Sequence, residues 1–161
     1  MVASPTRGEA AQVTGTFDNY IAGEWTPAAS GETMENRNPA NFDEVIGHFA
    51  SSGAADVEAA IGAAETAYQS WRLSSPIARA NILHKAANIL ESRIPDVGRE
   101  LTREEGKTLK EGIGETTRAV QILRYFAGEA QQPSGEHYPS ANPHTLLYTT
   151  REPLGVIGII T

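Results

Sequence analysis

The sequence contains no cysteine among its 161 residues. A disulfide framework, a thiolate metal site and a cysteine nucleophile are therefore excluded within these residues. Basic residues are also scarce, since 13 Lys+Arg stand against 20 Asp+Glu and the formal net charge is -7. Such a chain repels phosphate backbones and anionic lipids, so we expect neither a nucleic acid nor a membrane as a partner.

Long hydrophobic runs are absent as well. No 18-residue apolar stretch occurs, and the start from Met1 to Gly15 lacks the apolar segment of a secretory signal. We therefore expect a cytoplasmic protein. The 40% hydrophobic and 20% charged residues are typical of a globular domain, although composition does not decide whether the chain covers its own core.

The first part of the chain predicts a tail followed by short strands. Residues 1–16 are small, polar and aperiodic, which is typical of a disordered tail. From Tyr20 to Trp25 the pattern predicts a strand with a turn, and 31–36 and 45–47 predict extended segments around an Asn-Pro turn. We expect a small β-hairpin region here.

Two helices are predicted next from apolar spacing and capping residues. Between 57 and 71 apolar residues recur at three- and four-residue steps, with Asp56 placed to help cap the helix start. The second helix has Ser75 as N-cap and Pro76 at its first position, and it ends before Pro95.

Two further helices and two strands are predicted beyond Pro95. A short helix runs from Asp96 to Gly106, which is a plausible C-cap, and a longer one covers 109–130. After a proline-rich stretch, 146–150 predicts a strand and the apolar residues 155–161 predict a second one.

Two glycine motifs suggest nucleotide binding but lack the residues it requires. Residues 106–108 match the end of a phosphate-binding loop, yet Leu101 occupies the position of its first glycine. Residues 112–114 begin like a dinucleotide fingerprint, yet Thr117 replaces the third glycine. From residue patterns alone, the chain is a helical-plus-strand domain without a visible active site.

Three segments carry a family resemblance: Asn19–Trp25, Asn38–Ala40 with Val45–Gly47, and Arg151–Thr161. In this order and spacing they resemble the N-terminal third of aldehyde dehydrogenases, over residues 17–161. The resemblance implies an α/β fold class, namely the N-terminal part of the aldehyde dehydrogenase fold, in which the chain is part of an NAD(P)-binding domain of Rossmann type. It would contain a β-hairpin, about four helices, an oligomerisation-arm strand near 146–150 and the first strand of the Rossmann-type sheet at 155–161.

The activity implied by the resemblance is oxidation of an aldehyde to a carboxylate with NAD or NADP. In the family a cysteine thiolate attacks the aldehyde, hydride passes to the nicotinamide, and the thioester is hydrolysed. We expect the chain to end before the segments that supply the cysteine, the glutamate and an oxyanion-holding asparagine, so it carries no catalytic residue and is inactive alone. The main chain of Ile160 and Thr161 matches the strand end that meets the cofactor.

A structural monovalent cation occurs in some relatives, held by carbonyls just before the Asn-Pro turn and by a carboxylate before the Gly-Lys pair. The matching positions here are Asn36, Arg37 and Glu104. Glu104 departs from the more usual aspartate, and Arg37 adds a positive charge beside the proposed ion. Ordinary surface roles are the alternative for all three residues.

The substrate class and the assembly are also inferred from the resemblance. Segments 101–109, 111–115 and 126–129 resemble 2-oxoglutarate semialdehyde (2,5-dioxovalerate) dehydrogenases, with succinate-semialdehyde and betaine-aldehyde enzymes as alternatives. The full-length form is expected to act on a small aldehyde as a homo-oligomer, a dimer or a tetramer. The rival hypothesis is a catalytically inactive interaction or oligomerisation module that docks on a full-length relative.

Overall fold

The computed structural model describes residues 15–161, so most of the predicted 1–16 tail lies outside the described residues. Thr16 is already part of a strand, because it pairs with His48. The described residues form seven strands and four helices, with all helices in one block between residues 54 and 129. None of these helices is both long enough and apolar enough to cross a membrane.

The predicted hairpin is confirmed as strands β2 (Asn19–Ile21) and β3 (Glu24–Thr26), which pair antiparallel. Its two-residue turn consists of Ala22 at φ 54 and Gly23 at φ 89. Positive φ at both central positions is the turn geometry that matches the twist of paired strands. The rings of Tyr20 and Trp25 lie opposite each other, with centroids 5.0 Å apart.

A three-stranded sheet holds the Asn-Pro turn. It has the order β1 (Thr16–Phe17), β5 (Val45–Ala50), β4 (Thr33–Arg37), with β1 parallel and β4 antiparallel to β5. The β4–β5 register shifts between Asn36 and Arg37. Such a bulge bends a strand and leaves backbone groups outside the regular ladder.

Helix α1 (Ala54–Trp71) is tied to the preceding loops by one carboxylate. Asp56 accepts hydrogen bonds from the main-chain N–H of Gly53 and of Ala29, both at 2.8 Å. These bonds, the one from Gly53 being the larger cause, hold the pKa of Asp56 below its ordinary value. The predicted capping role of Asp56 is therefore confirmed, and the same side chain connects α1 to Ala29, which lies 27 positions earlier.

Helices α2 (Pro76–Ser92) and α3 (Ile94–Glu105) begin and end close to where the sequence predicts. Ser75 accepts from the N–H of Ala78 at 3.1 Å, and Pro76 occupies the first helical turn. Gly106 caps α3 in the left-handed conformation at φ 71, and its N–H donates to the Thr102 carbonyl at 2.9 Å.

Helix α4 (Leu109–Glu129) packs on both α2 and α3. At the α3 crossing a Cβ built on Gly112 would lie 2.3 Å from the Gly98 carbonyl oxygen. The two backbones can approach this closely only because neither residue carries a side chain. On the α2 side, Arg124 of α4 pairs with Glu91, with Nη2 and Oε2 2.6 Å apart.

The strand predicted at 146–150 is present as β7 (Leu147–Tyr148), which pairs antiparallel with β6 (His137–Tyr138). The prediction of a second strand at 155–161 is wrong for this chain, because these residues pair with no described strand. A strand forms only when its N–H and C=O groups pair with a neighbour, and no described strand lies beside them. The apolar side chains of this segment remain exposed, and Ile160 reaches 101%. Leu154, the residue just before the segment, is 94% exposed.

Among the described residues the buried apolar side chains are mostly alanines: Ala28, Ala80, Ala87 and Ala127, with Ile46 and Val120. The accessible surface is 12667 Å² for a mass of 17.2 kDa. A self-contained folded chain of that mass exposes about 7,800 Å², and residues 1–14 account for at most about 2,000 Å² of the difference. The described residues therefore expose roughly 3,000 Å² more than an independent domain would.

Candidate functional site

The end of α3 joins the β4–β5 loop through a partly buried ion pair. Arg103 Nε lies 2.7 Å from Glu44 Oε1, and the two side chains are only 11% and 15% exposed. Asn38, in the Asn-Pro turn, donates from Nδ2 to the other carboxylate oxygen of Glu44 at 2.7 Å. The hydrogen bonds from Asn38 and then from Arg103 hold the pKa of Glu44 below its ordinary value.

Gly106 completes this junction. A Cβ at this position would lie 2.9 Å from Pro39 Cγ and 3.2 Å from the Ala40 nitrogen. Its left-handed backbone also favours glycine, because an L side chain there crowds the following carbonyl. The Asn-Pro turn and the Gly-Lys pair, which are more than sixty residues apart in the sequence, therefore meet in the fold.

The structure brings together two of the three predicted cation ligands. Asn36 Nδ2 lies 3.5 Å from Glu104 Oε1 at the edge of the junction, beside the β4 bulge. The side chain of Arg37 is engaged elsewhere, since its guanidinium pairs with Glu35 at 2.6 Å and donates to the Phe42 carbonyl at 2.8 Å. The positive charge that argued against an ion is thus balanced by a neighbouring carboxylate.

The contact at this place joins the Asn36 side-chain amide to the Glu104 carboxylate, and the predicted main-chain ligands would add neutral oxygen atoms. Among residues 15–161 no group of three or more His, Asp or Glu side chains could hold a metal. One carboxylate with main-chain carbonyls does not suit zinc, which takes nitrogen and sulfur ligands. Hard cations prefer oxygen ligands of this kind. The predicted set of one carboxylate and two carbonyls would therefore suit a hard cation rather than zinc.

Lys107 and Thr108 have structural partners that explain them without a phosphate. The Lys107 amine bonds both carboxylate oxygens of Glu115 at 2.7 Å and also pairs with Glu105. These contacts, Glu105 first, raise the pKa of Lys107. Thr108 forms a capping box with Glu111 at the start of α4. This local arrangement provides no cradle for a phosphate.

The predicted cofactor contacts, Ile160 and Thr161, lie in the exposed segment after Leu154. Both residues are exposed and outside any strand. They are not part of the α3 junction, and their role as cofactor contacts stays a prediction.

The sequence did not predict a groove that lies on α4. It has a volume of about 330 Å³ and is lined by Arg118, Gln121, Ile122, Tyr125 and Phe126. The spacing 118, 121, 122, 125 places these side chains on one helix face. That spacing was visible in the sequence, but nothing there showed that this face of α4 remains open while another packs on α2 and α3.

The chain matches the family model described as "Aldehyde dehydrogenase family" over residues 25–161. It is 42% identical to an alpha-ketoglutaric semialdehyde dehydrogenase of Bacillus subtilis, covering 91% of this chain and 30% of the relative. It is 39% identical to an alpha-ketoglutarate semialdehyde dehydrogenase of Haloferax volcanii, covering 92% of this chain and 31% of the relative. The chain therefore spans less than a third of the length of these relatives.

Solved structures agree with the sequence matches. A betaine aldehyde dehydrogenase of Staphylococcus aureus, in complex with NAD+, superposes with a TM-score of 0.80 at 31% identity. The match covers 84% of this chain and 27% of that protein. The predicted α/β fold class is thereby confirmed, and the chain belongs to the aldehyde dehydrogenase family.

Proposed function

We propose that the chain contributes the N-terminal part of an NAD(P)-dependent oxidoreductase that converts 2-oxoglutarate semialdehyde to 2-oxoglutarate. The observation that carries the proposal is the family match over residues 25–161, together with two relatives that are named for this substrate. The net reaction consumes one aldehyde, one NAD(P)+ and one water, and it yields a carboxylate, NAD(P)H and two protons.

The proposed role of this chain is structural support and part of the cofactor site. It contains no cysteine, so it does not supply the thiolate that would attack the aldehyde. The bound nicotinamide would accept the hydride, and the main chain of Ile160 and Thr161 would contact the cofactor. The β6–β7 hairpin would belong to an oligomerisation arm. The cytoplasmic location also stays a prediction.

A structural monovalent cation would be held by the carbonyls of Asn36 and Arg37 and by the carboxylate of Glu104. Three features support this proposal: the bulge at Asn36 and Arg37, the approach of Glu104 to Asn36, and the pairing of Arg37 with Glu35. Such an ion would stabilise the α3 junction without taking part in the chemistry. Replacing Na+ or K+ by tetramethylammonium would then lower the thermal midpoint of the wild type more than that of Glu104→Gln, whereas equal shifts would contradict the site.

The two relatives are named for an aldehyde whose charge differs from that of betaine aldehyde, for which the structural neighbour is named. 2-Oxoglutarate semialdehyde carries a carboxylate at the end opposite its aldehyde, whereas betaine aldehyde carries a quaternary ammonium. The sequence matches to the two ketoglutarate semialdehyde enzymes, at 42% and 39%, exceed the 31% match to the betaine aldehyde enzyme. This difference favours the anionic substrate.

The experiment is a turnover assay on the full-length gene product that contains this chain. NADH and NADPH formation would be followed at 340 nm with 2-oxoglutarate semialdehyde, succinate semialdehyde and betaine aldehyde, at equal concentrations. The highest kcat/KM is expected for the first. A preference for betaine aldehyde would contradict the proposed substrate. Absence of turnover with all three aldehydes would contradict the proposed enzymatic activity. The 161 residues alone are expected to form no NAD(P)H.

The second candidate function is an inactive module that docks on a full-length relative. The large exposed surface favours it, since roughly 3,000 Å² more total surface is open than on an independent domain. Chromatography of the chain mixed with a purified full-length aldehyde dehydrogenase separates the two candidates. Co-elution in a fixed ratio supports docking, and separate elution contradicts it.

A further inference from the structure

Arg118 is the one charged side chain that lines the α4 groove, and no described carboxylate neutralises it. Its polar contact within residues 15–161 is a hydrogen bond from Nη1 to Gln121 Oε1 at 3.3 Å. Three other arginines, Arg37, Arg103 and Arg124, each pair with a glutamate at 2.7 Å or less, whereas Arg118 does not. Among the described residues Arg72, Arg79, Arg93 and Arg151 form no ion pair either, so the groove that Arg118 lines is what sets it apart.

The local sequence would allow a pairing that the fold withholds. Glu115 lies three residues before Arg118 on the same helix, at a spacing that commonly forms an ion pair. Its carboxylate is instead bound through both oxygens by the amine of Lys107, at 2.7 Å. Lys107 thereby keeps Glu115 occupied, and Arg118 retains an exposed, uncompensated positive charge.

The rest of the groove is largely apolar. Ile122, Tyr125 and Phe126 are 43%, 63% and 55% exposed, and the two aromatic rings meet edge to face with centroids 5.2 Å apart. A volume of about 330 Å³ lies at the lower end of the range for small-ligand sites. A guanidinium beside apolar side chains can orient a short carbon chain that ends in a carboxylate.

We propose that the α4 groove binds the carboxylate end of the substrate, with Arg118 as the specificity-determining residue. The inference rests on the proposed function, which supplies a substrate with an aldehyde at one end and a carboxylate at the other. The guanidinium donates to the carboxylate oxygens, and the side chains of Ile122 and Tyr125 line the path of the carbon chain. An ammonium-bearing aldehyde such as betaine aldehyde is repelled by the same charge.

The test uses the full-length gene product and the variant Arg118→Gln. Because a hydrogen bond to a charged group is lost, KM for 2-oxoglutarate semialdehyde should rise at least about tenfold while kcat changes little. KM for pentanal, which has the same carbon count and no carboxylate, should change less than about twofold. Arg118→Lys should recover part of the loss, because it restores the charge without the planar fork.

Lys110→Gln is the matched control, since it removes one positive charge from the same helix outside the groove. It should leave both KM values within about twofold. Equal changes for the two aldehydes in Arg118→Gln, or an equal effect of Lys110→Gln, would overturn the inference, because a structural or long-range charge effect does not discriminate between substrates.

A binding measurement separates this inference from the proposed function. Calorimetric titration with 2-oxoglutarate, the expected product, needs no turnover and reports the same carboxylate. The Kd should be at least about tenfold weaker in Arg118→Gln than in the wild type. Equal Kd values for the wild type and Arg118→Gln would contradict carboxylate binding in the groove, even if the enzyme oxidises the semialdehyde. If the Kd depends on Arg118 but the protein shows no turnover, carboxylate binding in the groove is supported and only the proposed activity is contradicted.

Discussion

Helices α1 and α4 have similar length and both carry apolar side chains at helical spacing, yet their surroundings differ. In α4 the residues Gly112, Thr116, Val120 and Ala127 are buried against α2 and α3. In α1, all of whose residues are described, Asp56 is the one buried residue. The apolar stripe predicted for α1 remains open, with Val57 at 54% and Ile61 at 45% exposure.

The comparison shows that helical spacing of apolar residues does not by itself determine packing. A periodic stripe predicts that a helix forms, but close contact between helices depends on small residues where the axes cross. Glycine and alanine occupy those positions in α2, α3 and α4. The stripe of α1 also contains small residues, Ala60 and Ala64, so small residues are not sufficient for packing. A helix also needs a partner surface, and the described residues do not provide one for α1.

The largest effect is expected from Gly112→Ala, which tests the α3–α4 crossing directly. The added Cβ would lie 2.3 Å from the Gly98 carbonyl oxygen, so the helices must separate. The free energy of unfolding should fall by about 3 kcal/mol, measured by urea denaturation with circular dichroism.

Gly114→Ala is its control, because a Cβ there meets no atom within 4 Å. In a helix interior this change should stabilise by about 0.5–1 kcal/mol. If both variants shift the urea midpoint in the same direction, the crossing is not as close as the structure shows.

Val120→Ala and Ile61→Ala compare the two stripes by the same kind of truncation. Val120 is 3% exposed, and the cavity left in α4 should lower the free energy of unfolding by about 2 kcal/mol. Ile61 of α1 is 45% exposed, and its truncation should cost less than about 0.5 kcal/mol. Comparable losses from urea denaturation would mean that α1 is covered after all.

Gly106→Ala extends the comparison to the place where the helical unit meets the sheet. Both the left-handed backbone and the contact with Pro39 oppose a Cβ, so the free energy of unfolding should fall by about 1–2 kcal/mol. Gly31→Ala separates the two causes, because Gly31 has φ 72 and no atom within 4 Å of a built Cβ. Thermal midpoints that drop equally in the two variants would remove the Pro39 contact from the explanation.

The smallest effect is expected from Glu44→Gln, through its pH dependence. The pKa of Glu44 is lowered in the folded chain, so its stabilisation is fully present above the ordinary value of 4.5 and is lost as the pH falls through the lower native pKa. The urea midpoint of Glu44→Gln should therefore depend less on pH below 4.5 than that of the wild type. Parallel curves would show that the ion pair with Arg103 does not contribute.

Local sequence features predicted most of the fold. Ser75 and Pro76 set the start of α2, and Gly106 set the end of α3, because capping depends on residues close in the chain. The exposed stripe of α1 and the missing strand at 155–161 could not be predicted, because burial and strand pairing depend on distant partners.

The site followed the same division. Family resemblance predicted Asn36 and Glu104 as neighbours, and the structure brings them within 3.5 Å. The groove on α4 was not predicted. Its positive charge remains because Glu115 binds Lys107 instead of Arg118, and Lys107 reaches Glu115 only through the turn between α3 and α4. An ion pair that forms elsewhere decides whether Arg118 is available, and a sequence does not show such competition.

The Asp56 carboxylate, which bonds Ala29 and Gly53, has a consequence for amide hydrogen exchange. One acceptor group protects two N–H groups that belong to separate parts of the chain, the loop after β3 and the start of α1. When the carboxylate swings away, both amides become open to solvent in the same event. Their exchange rates are therefore coupled, and protonation of this single side chain at low pH would release the loop and the helix start together.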